Sequence, residues 1–126
     1  MAVLLDTQAF LWWVTDDRRL TKRAAHSIAG SDCLLSVASC WEMAIKVSLG
    51  KLKLPGPVDR FVQAQLEVNG FNLLSVSLEH IAGVAGLPFH HRDPFDRLLV
   101  VQALNEELAV VSSDGVFGKY GVKRVW

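Results

Sequence analysis

A chain of 126 residues, 51% of them hydrophobic, is the right size for one domain spanning residues 1–126 with a core covered on both faces. Thirteen basic residues offset thirteen acidic ones, so no overall field advertises general affinity for nucleic acid, and such a partner must be held by a local patch or with a second subunit. The apolar stretch MAVLLDTQAFLWWV is too broken by polar residues for a membrane span of about 20 residues, and no basic start with a cleavage signal precedes it, which leaves a cytoplasmic location and no membrane partner as expectations.

Ala2 to Leu5 reads as a buried strand ended by Asp6, and Thr7 is placed to cap a helix through Phe10, Leu11 and Val14. Asp16 and Asp17 close that unit. A second helix is predicted from Thr21 to Gly30, then a short strand from Cys33 to Val37 and a helical region from Ser39 to Leu49 that stops at Gly50. The turn-rich connection GKLKLPGP follows. VDRFVQAQLEVNG returns to helical periodicity, with Phe61, Ala64, Leu66 and Val68 expected inward. Phe71 to Val76 is a third strand, and Leu78 to Leu87 a helix weakened by Gly83 and Gly86. PFHHRDP breaks the chain before the helix FDRLLVVQALNEE. A fourth strand from Leu108 to Ser112, a loop around Asp114 and a short edge strand from Val122 to Val125 complete the order. Four or five strands alternating with helices predict a three-layer α/β/α fold around a mostly parallel sheet. Cys33 and Cys40 lack CxxC spacing and are expected to be buried thiols.

Asp6, Glu42, Asp96 and Asp114 each stand where an apolar segment gives way to a turn or helix. Each has an ordinary structural job. Asp6 reads as a helix cap, Ser39-x-x-Glu42 as a capping box, Asp93-Pro94-Phe95-Asp96 as N-cap, N1, N2 and N3, and Asp114-Gly115 as a turn. The joint pattern adds more, because junctions of this kind meet at one edge of a parallel sheet. Carboxylates brought together repel unless they share protons or bind a cation, and an all-oxygen set favours Mg²⁺ or Mn²⁺ over zinc. Such a site suits phosphodiester hydrolysis. Asp6 and Asp96 are the expected direct ligands, Glu42 either binds through water or serves as base, and Asp114 completes the shell.

Four segments in order, LLDTQAFLWW, SxxSCWEMAIKVSLGKLKLP, HHRDPFDRLLVVQA and VVSSDGVFGKYGV, make the sequence resemble the PIN-domain endoribonucleases, specifically the VapC-like toxins of type II toxin-antitoxin modules. The resemblance implies a PIN-like fold and RNA cleavage with Mg²⁺ or Mn²⁺ at Asp6, Glu42, Asp96 and Asp114, with the Ser112 hydroxyl nearby. It also implies a homodimer inhibited by a cognate antitoxin.

Lys46, Arg92 and Arg97, with Lys51 and Lys53, are candidates for RNA phosphate contact; each also reads as an ordinary solvated cation, and Lys46 as an i,i+4 partner of Glu42. His90 and His91 read as loop packing or RNA contact rather than zinc ligands, because no third ligand has suitable spacing. Trp12, Trp13 and Trp41 read as core, with an exposed subset serving a dimer or antitoxin surface; Trp12 and Trp13 point to dimerisation through the early helices. A phosphoacceptor receiver domain fits less well, since Asp6 is solitary and Ser75 to Leu78 offers no aspartate. A catalytically silent PIN-like module that binds protein or RNA is the alternative to the nuclease.

Overall fold

The computed structural model describes all 126 residues. Five strands, β1 (Ala2–Leu5), β2 (Asp32–Ser36), β3 (Asn72–Leu74), β4 (Ala109–Val111) and β5 (Arg124–Val125), form one parallel sheet in the order β3-β2-β1-β4-β5. Between them lie α1 (Thr7–Val14), α2 (Lys22–Gly30), α3 (Val37–Ser48), α4 (Val58–Asn69), α5 (Leu78–Val84), α6 (Pro94–Asn105) and α7 (Val116–Lys119). None is long and apolar enough to cross a membrane.

Both faces of β1 are buried, as its unbroken apolar sequence requires. Val3 and Leu5 join Phe10, Ile28, Met43 and Val62 in one core beneath α1 to α4. Leu4 turns the other way, to Leu99, Val100 and Phe117 beneath α6 and α7. The alternation of side chains along a strand thus makes the three layers. Phe10 centres the larger core, its ring 6.5 Å from both Phe61 and Phe71.

Helix boundaries follow local chemistry. Thr21 caps α2 by accepting from the Ala24 amide, and Gly70 closes α4 in the left-handed conformation. Asp93 caps α6 with Pro94 in its first turn, as the sequence predicts. Of the two caps offered for α1, Asp6 rather than Thr7 serves, and one expected cap moves: α3 begins at Val37 with Ser36 as its cap, so Ser39 and Glu42 lie inside the helix and form no capping box. In α4 only Val62 is fully buried; Ala64 is exposed and Val68 is 79% exposed, because the helix covers the sheet edge with a narrow stripe. The loop after Asp114 contains the short helix α7. Cys33 is buried, Cys40 partly so, and both are free thiols.

Gly83 has a packing reason to be glycine. A Cβ there would stand 2.7 Å from a methyl of Val101, where α5 lies directly on α6. Gly83→Val is expected to cost about 2 kcal/mol or more through overpacking against a stiff β-branched neighbour. Urea denaturation checks this, and an unchanged midpoint would refute the close approach.

Candidate active site

Leu5 pairs with Leu35 on one side and Val111 on the other, so the next residue of each central strand, Asp6, Ser36 and Ser112, forms a row at the carboxyl edge. All three are buried. The row lies where the strand order reverses around β1 and β4, the crevice in which open α/β sheets bind ligands. The Asp6 amide donates to the Val111 carbonyl at 3.1 Å, continuing the ladder one residue beyond the strand.

Above the row is a cavity of about 200 Å³ with no hydrophobic lining residue, and Asp6, Glu42, Asp96 and Asp114 all line it. Each arrives on a different segment. Asp6 is only 8% exposed and accepts from the Ala9 amide at 2.7 Å as cap of α1. Glu42, in the second turn of α3, takes a 2.6 Å hydrogen bond from the Thr7 hydroxyl on one oxygen and a 3.2 Å ion pair from Lys46 on the other. Asp96 sits in the first turn of α6. Asp114 accepts from the Val116 amide at 2.9 Å, while its own amide donates to Ser112 Oγ at 3.0 Å.

Sequence reasoning missed two contributors. Thr7 orients Glu42 rather than capping a helix, and Asp93 lines the cavity while it caps α6. The paired acids in DPFD carried the signal for Asp93. Nothing local could have revealed a hydrogen bond between positions 7 and 42.

Lys46 lines the cavity, and Ser112 lies beneath it. Arg92, Lys51 and Lys53 are exposed. Arg97, expected as an RNA contact, is a correction: it is 4% exposed and binds the Pro88 carbonyl at 2.8 Å, with Leu87 and Val84 carbonyls at 3.4 and 3.5 Å. Its guanidinium also lies 4.2 Å over Phe89. It fastens the 84–89 segment to α6 and has no free face for phosphate. Trp12 and Trp13 are likewise engaged within the chain, Trp12 against Trp126 and Arg19, Trp13 against Phe71 and Asn69. Trp41 instead is 62% exposed beside Phe95, with Val37, Leu73 and Ile81 as further exposed apolar residues.

The cavity is electrostatically loaded. Burial pushes the Asp96 carboxyl up to about 7, and Asp93, Asp6, Glu42 and Asp114 push in the same direction. Asp6 is also raised, chiefly by burial and further by Glu42 and Asp114, against the opposing pull of Ser112 and the Ala9 amide. An all-oxygen donor set under mutual repulsion fits a hard divalent cation such as Mg²⁺ or Mn²⁺. The set is gathered but not closed, since no three of these groups stand in ligating position about one point. Capping and ion-pair contacts engage one oxygen each of Asp6 and Asp114 and both of Glu42.

A folded Asp96 carboxyl that holds its proton more tightly than an unfolded one stabilises the fold when protonated. This contribution is complete below about pH 4 and is lost as the pH rises through about 7. In chelator, Asp96→Asn is expected to match wild type near pH 4 and to exceed it by about 2–4 kcal/mol at pH 8.5. Equal urea stabilities at both pH values would contradict the raised pKa.

Residues 3–123 match the PIN domain family. The sequence is similar to Ribonuclease VapC22 of Mycobacterium tuberculosis, 28% identical over 114 residues that cover 89% of this chain and 86% of that relative. Its fold is similar to a chain of VapBC2 from Rickettsia felis bound to a promoter DNA fragment, with TM-score 0.68, 13% identity and coverage of 98% of this chain and 97% of that one. A toxin-antitoxin complex from Klebsiella pneumoniae gives TM-score 0.59 at 15% identity, covering 89% of this chain and 86% of that one. With the family match spanning nearly every element that builds the acidic cavity, the chain belongs to the PIN domain family.

Proposed function

We propose that the protein is a divalent-metal-dependent endoribonuclease, the toxin of a toxin-antitoxin pair, acting in the cytoplasm as a homodimer and inhibited by a cognate antitoxin. The observation that carries this reading is the convergence of four carboxylates from four separate segments on one wholly non-hydrophobic cavity at the switch point of the sheet. The likeness to a relative named as a ribonuclease, and to a chain from a toxin-antitoxin complex, supports it.

Bound Mg²⁺ or Mn²⁺ would supply an acidified water and neutralise charge developing on the scissile phosphate. Asp6 and Asp96 would hold the ion, and Asp114 would complete the oxygen set. Glu42 is fixed by Thr7 and Lys46 and would either bind the ion through water or serve as the base for the attacking water. Lys46 at the cavity and the exposed Arg92 meet the RNA backbone, which positions the strand without reading its bases. The involvement of both Glu42 oxygens in protein contacts favours a second reading, a catalytically silent module that binds protein or RNA.

Incubation of antitoxin-free protein with mixed cellular RNA separates the two. Discrete products are expected with Mn²⁺ or Mg²⁺, none with chelator, and a loss of roughly a hundredfold or more in Asp6→Asn and Asp96→Asn. Folded, metal-bound protein that leaves every RNA intact would favour the silent module.

A further inference from the structure

In the structure the buried Tyr120 hydroxyl meets three nitrogens. The His91 amide lies at 3.3 Å, Arg97 Nη1 at 3.1 Å and His91 Nδ1 at 2.8 Å. An amide and a guanidinium can only donate, and together they use both acceptor positions of the phenolic oxygen. The single hydroxyl proton is then left for Nδ1, which must accept it. An imidazole that accepts at Nδ1 is neutral and carries its hydrogen on Nε2. Nε2 is buried, has no hydrogen-bond partner of good geometry, and stands 3.4 Å from Asp96 Oδ2.

We propose that His91 is a positioning residue for Asp96, presenting a fixed Nε2–H to Oδ2 through the relay Arg97, Tyr120, His91. The anchor of the relay is Arg97, itself held by the Pro88, Leu87 and Val84 carbonyls. Neither oxygen of Asp96 accepts a protein hydrogen bond of good geometry, and the 3.4 Å approach of Nε2 is the contact to Oδ2. A donor behind one oxygen of a ligating carboxylate fixes its orientation and the direction in which the other oxygen can reach. The inference rests on the reading of Asp96 as a metal-holding residue, and it gives the adjacent histidines separate roles. His91 acts through its nitrogens, whereas His90 contributes an exposed ring set edge-on to Tyr120 at 4.7 Å.

Three variants separate positioning from packing. His91→Phe keeps a ring and has no N–H, His91→Gln keeps a donor without the ring, and Tyr120→Phe removes only the hydroxyl. Calorimetric titration of Mn²⁺ is expected to show affinity about tenfold weaker in His91→Phe and Tyr120→Phe, with His91→Gln restored most of the way. RNA cleavage is expected to lose kcat at unchanged KM in the same two variants. In metal-free wild-type protein, ¹⁵N spectra of His91 are expected to show the proton on Nε2, and in Tyr120→Phe a mixture of tautomers.

Wild-type Mn²⁺ affinity in His91→Phe, or a proton on Nδ1 in the wild type, would overturn the proposal. A wild-type protein that binds no Mn²⁺ would sink the metal-dependent reading instead. In that case the positioning role is decided by the Asp96 carboxyl ¹³C shift, which moves in His91→Phe if His91 holds it and stays if it does not.

Discussion

The parallel register of β1 between β2 and β4 is the constraint on which the acidic cavity depends. It aligns Leu5 with Leu35 and Val111, and so delivers Asp6, Ser36 and Ser112 to one edge at one level. Each of these residues ends a strand and serves the segment that follows: Asp6 caps α1, Ser36 caps α3, and Ser112 accepts the amide of Asp114. Side chains alternate faces along a strand, so slipping β1 by one position would exchange its two core faces as well as displace Asp6. The hydrophobic contacts that stabilise the sheet therefore also fix the position of the first acid.

Gathering carboxylates opposes folding, and the structure limits that cost without removing it. Backbone amides at helix starts take one oxygen each of Asp6, Asp93 and Asp114, where the helix or turn favours negative charge. Glu42 is offset by Lys46 on its own helix. Asp96 receives least. Burial raises its carboxyl to about 7, and the surrounding acids push it the same way. A cavity in this condition is prepared for positive charge while its structural contacts remain satisfied.

What could be read from the sequence was local. The Asp93 cap with its proline and the buried strand before Asp6 are both signalled within a few residues, and both are found where expected. The four acids were legible because each follows such a junction. Errors arose where two local signals competed or where the partner was distant. Ser36 and Ser39 both offer a hydroxyl before an apolar helix, and the length of β2 chose Ser36. Arg97 carries a charge on a helix start and reads as surface. It is buried because Tyr120 and three carbonyls of the 84–88 segment surround it, none of them its neighbour in sequence. Trp12 and Trp13, read as core, are packed by Trp126 and Phe71, whereas Trp41, read the same way from its helical setting, stands 62% exposed.

The pairing of Val3 with Ala109 also orders events during synthesis. The first strand emerges early and its central partner among the last elements, so β1 spends most of translation with one edge unpaired. Contacts of such long sequence separation form late, since loop closure must precede the pairing that rewards it. Asp6 and Glu42 are made first, yet Asp96 and Asp114 reach them only after α6 and β4 have docked. A chain made only as far as α5 thus has no complete acidic cavity, and the site is assembled once α6, β4 and the turn at Asp114 are in place.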